Sequence, residues 1–218
     1  MLGNVNTREY PLMLKSIKLT ILVLTISFGA SGMPSDDPYI FVKDVGTATF
    51  AKMKQEQTLI KNDPEALRKI VELQLMPHVD HVYAALSVLS TQAKDIPREK
   101  LDLFFEQFRL YLLTTYSTAL SSYSNQTVEF EPSRPIDNKK TVSVRALIKE
   151  SGKPDISITF QVRRNKENQW KAFDLVAEGI SMVQSKRVEF APMIRQKGID
   201  SVIDFMREKS TKQSKTAK

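Results

Sequence analysis

The feature that most constrains this chain is a change of residue pattern at Tyr123. Before it, apolar residues recur at the three- and four-residue spacing of amphipathic helices, most clearly in residues 98–123. After it, short β-branched runs are separated by turn residues such as those of 151–154 and 165–168. Helices followed by a run of strands predict an α+β domain, with the helices folded over one face of an antiparallel sheet.

Helix boundaries are marked by capping acids, prolines and a glycine. Asp37 before Pro38 and Asp63 before Pro64 are typical of helix starts, and Pro97 opens the longest helix. Gly198 separates the last two helices. The predicted helices cover residues 36–56, 63–76, 79–89, 98–123, 180–195 and 199–209.

Four strands are predicted, with one dry face. Val142 and Val144 alternate with polar residues in one strand, and Ile158 and Phe160 do so in the next. One sheet face is therefore expected to lie against the helices. The predicted strands are TVEFEP (127–132), TVSVRALIKES (141–151), DISITFQVRRN (155–165) and WKAFDLVAE (170–178).

The N-terminal region has the pattern of a secretory signal. In MLKSIKLTILVLTISFGASGM, residues 13–33, two lysines precede a short apolar run and then small residues. We expect residues 1–32 to be a signal peptide, with Met13 as the initiator, 33–209 to be one domain and 210–218 a polar tail. An uncleaved membrane anchor is the alternative, although a spanning helix needs about 20 apolar residues.

Composition limits the cellular compartments that suit the protein and the partners that it is expected to bind. The chain has no cysteine, which excludes disulfides and thiolate chemistry, and its net charge of +7 comes from basic residues spread along the sequence. An exported protein of this kind suits a bacterial periplasm and is not expected to bind nucleic acid.

Few residues are candidates for chemistry. Asp174 and Glu178 are about 13 Å apart if the strand is regular, too far for an obvious acid–base pair, and strand alternation places Asp174 on the outer face, opposite Phe173. His78 and His81 have a spacing that fits metal ligands, but a third ligand is not evident. The sequence has no nucleophile elbow, zinc-protease motif or phosphate loop. We expect no enzyme activity, no cofactor and no metal; a scattered active site, as in a lipid hydrolase, stays open.

Four segments, in order and spacing, resemble the MlaC family of periplasmic phospholipid-binding proteins, also called toluene-tolerance proteins. They are DPEALRKIVELQLMPHVD (63–80), FFEQFRLYLLTTYSTALSSY (104–123), WKAFDLVAEGIS (170–181) and RQKGID (195–200). The resemblance covers about residues 36–205. It implies helices over a curved, four-stranded antiparallel sheet that encloses an apolar cavity for acyl chains.

The resemblance also implies a function and partners. The protein would be a monomeric periplasmic carrier that shuttles phospholipid between an outer-membrane lipoprotein complex and an inner-membrane ABC transporter with its substrate-binding ring, maintaining outer-membrane lipid asymmetry. The alternative is an exported adaptor of the same fold with a filled core. Ile180 is the cavity residue we expect most strongly, so that Ile180→Glu is predicted to fold with little lipid. The predicted lining comprises Tyr83, Leu86, Phe104, Phe108, Tyr111, Leu112, Val144, Phe160, Phe173, Ile180, Met182 and Val183.

Overall fold

The computed structural model describes residues 36–124 and 126–216; the predicted signal segment lies outside them. Within this described part, helices precede the strands and two helices follow, which confirms the α+β class. A π-helical turn (Val71–Leu75) and a 3₁₀ turn (Met76–His78) follow the third helix, and a 3₁₀ turn (Ser90–Asp95) precedes the fifth. The helices are α1 (Pro38–Gln55), α2 (Gln57–Asn62), α3 (Pro64–Ile70), α4 (His81–Leu89), α5 (Arg98–Ser121), α6 (Met182–Lys197) and α7 (Ile199–Thr216), and the strands are β1 (Thr127–Phe130), β2 (Thr141–Lys149), β3 (Ile156–Arg164), β4 (Trp170–Ala177) and β5 (Ile180–Ser181).

The predicted helix starts are confirmed by their caps. The Asp37 carboxylate accepts hydrogen bonds from the backbone N–H of Tyr39 at 2.7 Å and Ile40 at 3.3 Å. Asp63 accepts from the Glu65 N–H at 3.0 Å. Each acid therefore satisfies amides that the first helical turn leaves without an intrahelical acceptor.

The sheet is an antiparallel meander in the order β1-β2-β3-β4-β5. The four predicted strands are confirmed, but the predicted count is one too low. Ala177 pairs with Ile180 across a two-residue turn in which Glu178 and Gly179 both have positive φ, 49° and 80°. These angles are those of a type I′ hairpin turn, so β5 pairs with the end of β4 and α6 begins at Met182 rather than Ile180.

A β-bulge interrupts the alternation of β4. Asp174 pairs with Gln161 on β3, but Ala172 pairs with the next residue, Val162, so Phe173 has no partner in the ladder. An inserted residue of this kind breaks the alternation, so the side chains before and after it no longer follow one continuous in-and-out pattern. Arguments from strict alternation therefore fail at Phe173.

The buried apolar residues form two clusters. In the first, Tyr39 and Val42 of α1 pack on the dry sheet face, against Val144 and Val162. α1 approaches the sheet closely at Gly46, where a Cβ would lie 2.5 Å from the Phe130 ring. The second cluster is helical, and its most deeply buried residues lie in the π-helical turn and in α4, α5, α6 and α7. The long helix α5 thus belongs to the helical core, and it is α1 that covers the dry face.

The last helix extends beyond its predicted end. α7 continues from Ile199 to Thr216, through most of the segment predicted as a polar tail after Lys209. Among residues 36–124 and 126–216, no helix is both long and apolar enough to cross a membrane.

Candidate functional site

A narrow space, which we call the seam, lies where α4, α5 and α6 meet β4. Its volume is about 10 Å³, roughly the space that one water molecule occupies. The walls are mainly apolar and aromatic, and the ionisable members are two tyrosines, one carboxylate and one ammonium. The seam is lined by Ala84, Phe108, Tyr111, Leu112, Tyr116, Phe173, Asp174, Met182, Val183 and Lys186.

A larger cleft opens to solvent beside α4 and has a volume of about 420 Å³. We call it the α4 cleft. Tyr83 and Leu86 are 38% and 39% exposed there, and Arg163 and Lys171 contribute positive charge. The Tyr83 ring meets the Phe173 ring edge-on, with centroids 5.0 Å apart. Since Tyr83 lines the cleft and Phe173 lines the seam, this aromatic pair stands between the two spaces. The remaining lining residues are Val79, Asp80, His81, Val82, Asn165, Lys166 and Glu167.

An ion pair holds Tyr83 in place. The Arg163 Nη1 lies 2.6 Å from the Asp80 Oδ2, and the guanidinium stacks 4.1 Å from the centre of the Tyr83 ring. The other oxygen of Asp80 accepts the Tyr83 backbone N–H at 3.0 Å and so caps α4. Arg163 thereby links β3 to the first turn of α4, through charge and through the ring face.

The structure distributes the twelve predicted lining residues over five places. Six line the seam: Phe108, Tyr111, Leu112, Phe173, Met182 and Val183. Tyr83 and Leu86 line the α4 cleft. Phe104 is fully buried in the helical core, and Val144 and Phe160 belong to the cluster under α1. Ile180 is 64% exposed on β5, outside both spaces, which corrects its placement as the leading cavity residue.

Four seam residues were not predicted from the sequence. Tyr116 lies four residues after Leu112 and eight after Phe108 on α5, so its helical spacing is the signal from which it was predictable. Lys186 follows Val183 by three residues, which places both on one side of α6. Ala84 offered only its position in an apolar helix, and Asp174 was expected on the face opposite Phe173.

Asp174 is a structural anchor. The Asp174 Oδ1 accepts the backbone N–H of Leu175 at 2.8 Å and of Val183 at 3.0 Å, while Oδ2 accepts the Ser181 hydroxyl at 2.5 Å. Its pairing with Gln161 places Asp174 on the face opposite Val144 and Val162, as strand alternation predicted, but residues of α4, α5 and α6 surround it there, so it lines the seam. Its contacts instead tie β4 to the N-terminal turn of α6.

Glu178 also has a structural role. Its Oε1 accepts the Ser157 backbone N–H at 2.5 Å, so it fastens the β4–β5 turn to the start of β3. With both carboxylates engaged by donors of the fold, Asp174 and Glu178 do not form a general acid and base. This agrees with the spacing argument made from the sequence.

The two histidines are partly buried. The His78 ring meets the Phe41 ring edge-on at 5.7 Å. Burial, followed by the nearby Lys171 ammonium, lowers the pKa of His78; burial and then Arg109 lower the pKa of His81. Within the described residues, no group of three or more histidine, aspartate or glutamate side chains is placed to hold a metal ion.

Lys186 is the cation of the seam. Its ammonium lies 2.6 Å from the Glu189 Oε2 and 5.3 Å from the centre of the Tyr111 ring. Burial lowers the pKa of Lys186, but the hydrogen bond to Glu189 and the contact with Tyr111 outweigh it, so the pKa is raised. The side chain is therefore charged at neutral pH although only 18% of it is exposed.

Tyr116 makes the free energy of unfolding depend on pH in the alkaline range. Burial, together with the Asp174 charge, raises the pKa of Tyr116 to about 12, whereas an unfolded tyrosine titrates near 10. Between about pH 10 and about pH 12 the unfolded state loses this proton first, so the free energy of unfolding falls as the pH rises, by up to about 2.7 kcal/mol. We expect Tyr116→Phe to remove this contribution. Urea unfolding from about pH 9 to about pH 11 measures it; equal slopes for both proteins would contradict it.

Comparison with known proteins identifies the family. The family model described as MlaC protein matches residues 43–208, most of the chain. This chain belongs to the MlaC family. The resemblance seen in the sequence is thereby confirmed, and the matched range includes every residue of the seam and of the α4 cleft.

Curated relatives and a solved structure agree with this assignment. The intermembrane phospholipid transport system binding protein MlaC of Haemophilus influenzae is 28% identical over 195 residues, covering 88% of this chain and 91% of that protein. The toluene tolerance protein ttg2D of Pseudomonas putida is 23% identical over 196 residues, covering 88% and 90%. The phospholipid-binding protein of Ralstonia solanacearum, solved in complex with a phospholipid, superposes with a TM-score of 0.73 at 21% identity, covering 82% of this chain and 99% of that one, and so shares its fold.

Proposed function

We propose that this protein is a periplasmic carrier of phospholipid that takes up the acyl chains in the seam. The observation that carries the proposal is that the seam belongs to the segment that matches the MlaC family, whose relatives are named for phospholipid binding and transport. The seam is also where apolar side chains from three helices and one strand meet. We expect no catalytic step, since a carrier requires an apolar wall and no reacting groups.

The chemistry of the wall fits acyl chains. Exposing about 30 methylenes to water costs roughly 0.8 kcal/mol each, or about 24 kcal/mol for two chains. A carrier must supply an environment that is nearly as apolar. Phe108, Leu112, Phe173, Met182 and Val183 supply aromatic and aliphatic surface without directional bonds, so their contacts with one another are exchangeable for contacts with lipid.

Uptake requires the seam to widen. Ligand sites enclose about 300–1,000 Å³, far more than the seam holds and comparable to the α4 cleft. Rotation of Tyr83 away from Phe173 would join the cleft to the seam, because this ring pair stands between them. In the proposed loaded form the two spaces are continuous, and eight of the twelve residues predicted from the sequence line them.

The wider role follows from the same relationship. We propose that the monomer moves between an outer-membrane lipoprotein complex and an inner-membrane ABC transporter with its substrate-binding ring, and that this traffic maintains lipid asymmetry in the outer membrane. The support is the intermembrane transport named for the Haemophilus relative, together with the secretory pattern of residues 13–33.

Lipid that co-purifies with the protein tests the carrier function. The full chain is expressed in a Gram-negative host, purified from the periplasm without detergent, and examined by native mass spectrometry and organic extraction. We expect a mass excess of one phospholipid per chain, and the intact mass locates the signal cleavage site.

Other outcomes would contradict the proposal in distinct ways. A bare polypeptide that takes up nothing from labelled vesicles would indicate an envelope adaptor with a filled core. Release of lysophospholipid or free fatty acid from those vesicles would indicate a lipid hydrolase.

A further inference from the structure

The cation of the seam is held in a setting that suits a phosphate group. Lys186 lies among the apolar and aromatic residues that form most of the wall, and its ammonium is beside the Tyr111 ring. We propose that Lys186 binds the phosphate of the carried lipid and gives the protein a preference for lipids that contain phosphate. This inference rests on the proposed carrier function and adds to it the residue that recognises the phosphate.

The backbone around Lys186 is fixed on both sides. Toward the N-terminus, Asp174 holds the Val183 N–H and the Ser181 hydroxyl. Immediately after Lys186, the Arg187 guanidinium donates to the Ser87 carbonyl at 3.0 Å from Nε and at 2.5 Å from Nη2, which ties α6 to α4. The ammonium is therefore presented from a rigid turn of α6, as a binding residue requires.

The partner of Lys186 is replaceable. Glu189 is three residues further along the same helix, and its side chain is 38% exposed, so their ion pair is weak. A lipid phosphodiester carries one negative charge on two non-bridging oxygens, as the carboxylate does, and the ammonium has three donors to offer. Exchange of Glu189 for phosphate keeps the charge of Lys186 paired.

The other charged groups nearby do not offer the same exchange. Asp174 carries the wrong sign for a phosphate, and its oxygens accept three donors of the fold. Arg163, in the α4 cleft, is paired with Asp80, which also caps α4, so releasing Arg163 would disturb a helix start. In the seam, Lys186 is the cation that a lipid phosphate would meet.

A competition between two lipids tests this inference. Protein purified from the periplasm is exchanged against vesicles that hold equal amounts of phosphatidylethanolamine and diacylglycerol with the same acyl chains. Native mass spectrometry then gives the ratio of the two bound lipids. We expect Lys186→Gln to lower the ratio of phospholipid to diacylglycerol by about tenfold, since the lost contact is charge-assisted. Lys197→Gln removes the same charge from an exposed site on α6 and should leave the ratio unchanged.

The ratio is internal to each sample, so a loss of folded protein does not change it. Glu189→Gln should shift the ratio in the opposite direction, because it removes the competing carboxylate. An unchanged ratio in Lys186→Gln would overturn the role of Lys186 and leave the carrier function standing, whereas a wild type that binds neither lipid would overturn the carrier function itself.

Free inorganic phosphate is the other ligand that an ammonium in this position would bind. A separate titration distinguishes it from the lipid phosphate. Inorganic phosphate is titrated into the wild type and Lys186→Gln, and its ³¹P signal is followed. We expect no broadening with either protein, because the proposed affinity depends on the attached acyl chains. Broadening with the wild type alone, combined with equal lipid ratios, would assign Lys186 to free phosphate and overturn the lipid proposal.

Discussion

Val183→Glu is expected to fold and to lose at least about 100-fold in phospholipid affinity. Val183 lines the seam, and a carboxylate among acyl chains loses its water, a cost of several kcal/mol that pairing with Lys186, three residues further along α6, offsets only in part. The fold should tolerate the change, because position 183 lies in the first turn of α6, where the helix dipole favours an acid. Lipid extracted per folded chain measures the effect, with far-ultraviolet circular dichroism to establish folding.

Two further variants make this result specific. Val183→Gln introduces polarity without a second charge beside Asp174, and we expect a smaller loss that still exceeds tenfold, about 1.4 kcal/mol. Ile180→Glu places the same acid three residues earlier, on a side chain that is 64% exposed, and should keep wild-type occupancy. Loss of lipid in Ile180→Glu with full occupancy in Val183→Glu would move the site from the seam to the β5 surface.

The secondary structure was largely predictable because its signals are local. Asp37 and Asp63 cap the helices they were expected to cap, since a carboxylate before a proline leaves few alternatives to a helix start. The alternation in β2 and β3 likewise identified their buried face, on which Val144 pairs with Phe160. A strand that must bury one face has one acceptable register.

The residues from 173 to 181 were predicted less well because two small backbone features change their directions. The bulge at Phe173 brings this ring beside Asp174 in the seam, where strict alternation would place the two side chains on opposite faces. The turn at Glu178 and Gly179 then adds a strand where a helix start was expected. A Glu-Gly pair carries only part of the signal of a type I′ turn, for which Asn-Gly and Asp-Gly are the strong forms.

The candidate site was partly predictable for a different reason. Helical spacing identified the face of α5 that carries Phe108, Tyr111 and Leu112, and these residues do line the seam. Spacing does not say which helix covers which layer, and that depends on tertiary packing. Because α1 covers the dry sheet face, Val144 and Phe160 lie in a separate cluster from the α5 residues.

Phe104→Ala is expected to lower the free energy of unfolding by about 3–5 kcal/mol while leaving the phospholipid bound per folded chain unchanged. The Phe104 side chain is 0% exposed and stacks on Phe108 with ring centroids 5.9 Å apart, inside the helical core. Its removal leaves a cavity that the neighbouring helices fill only in part. Urea unfolding of lipid-free protein measures the change; lipid must be absent, since it stabilises the folded state by mass action.

Leu103→Ala is the matched control, because Leu103 precedes Phe104 on α5 but is 44% exposed, and its truncation should cost well under half as much. Phe108 touches both Phe104 and the seam, so the ring stack is the route by which a core defect would reach the lipid site. Phe104→Ala could instead lose as much lipid per folded chain as Val183→Glu does. In that case the core and the seam are one compartment, and Phe104 lines the lipid site, as its sequence spacing first predicted.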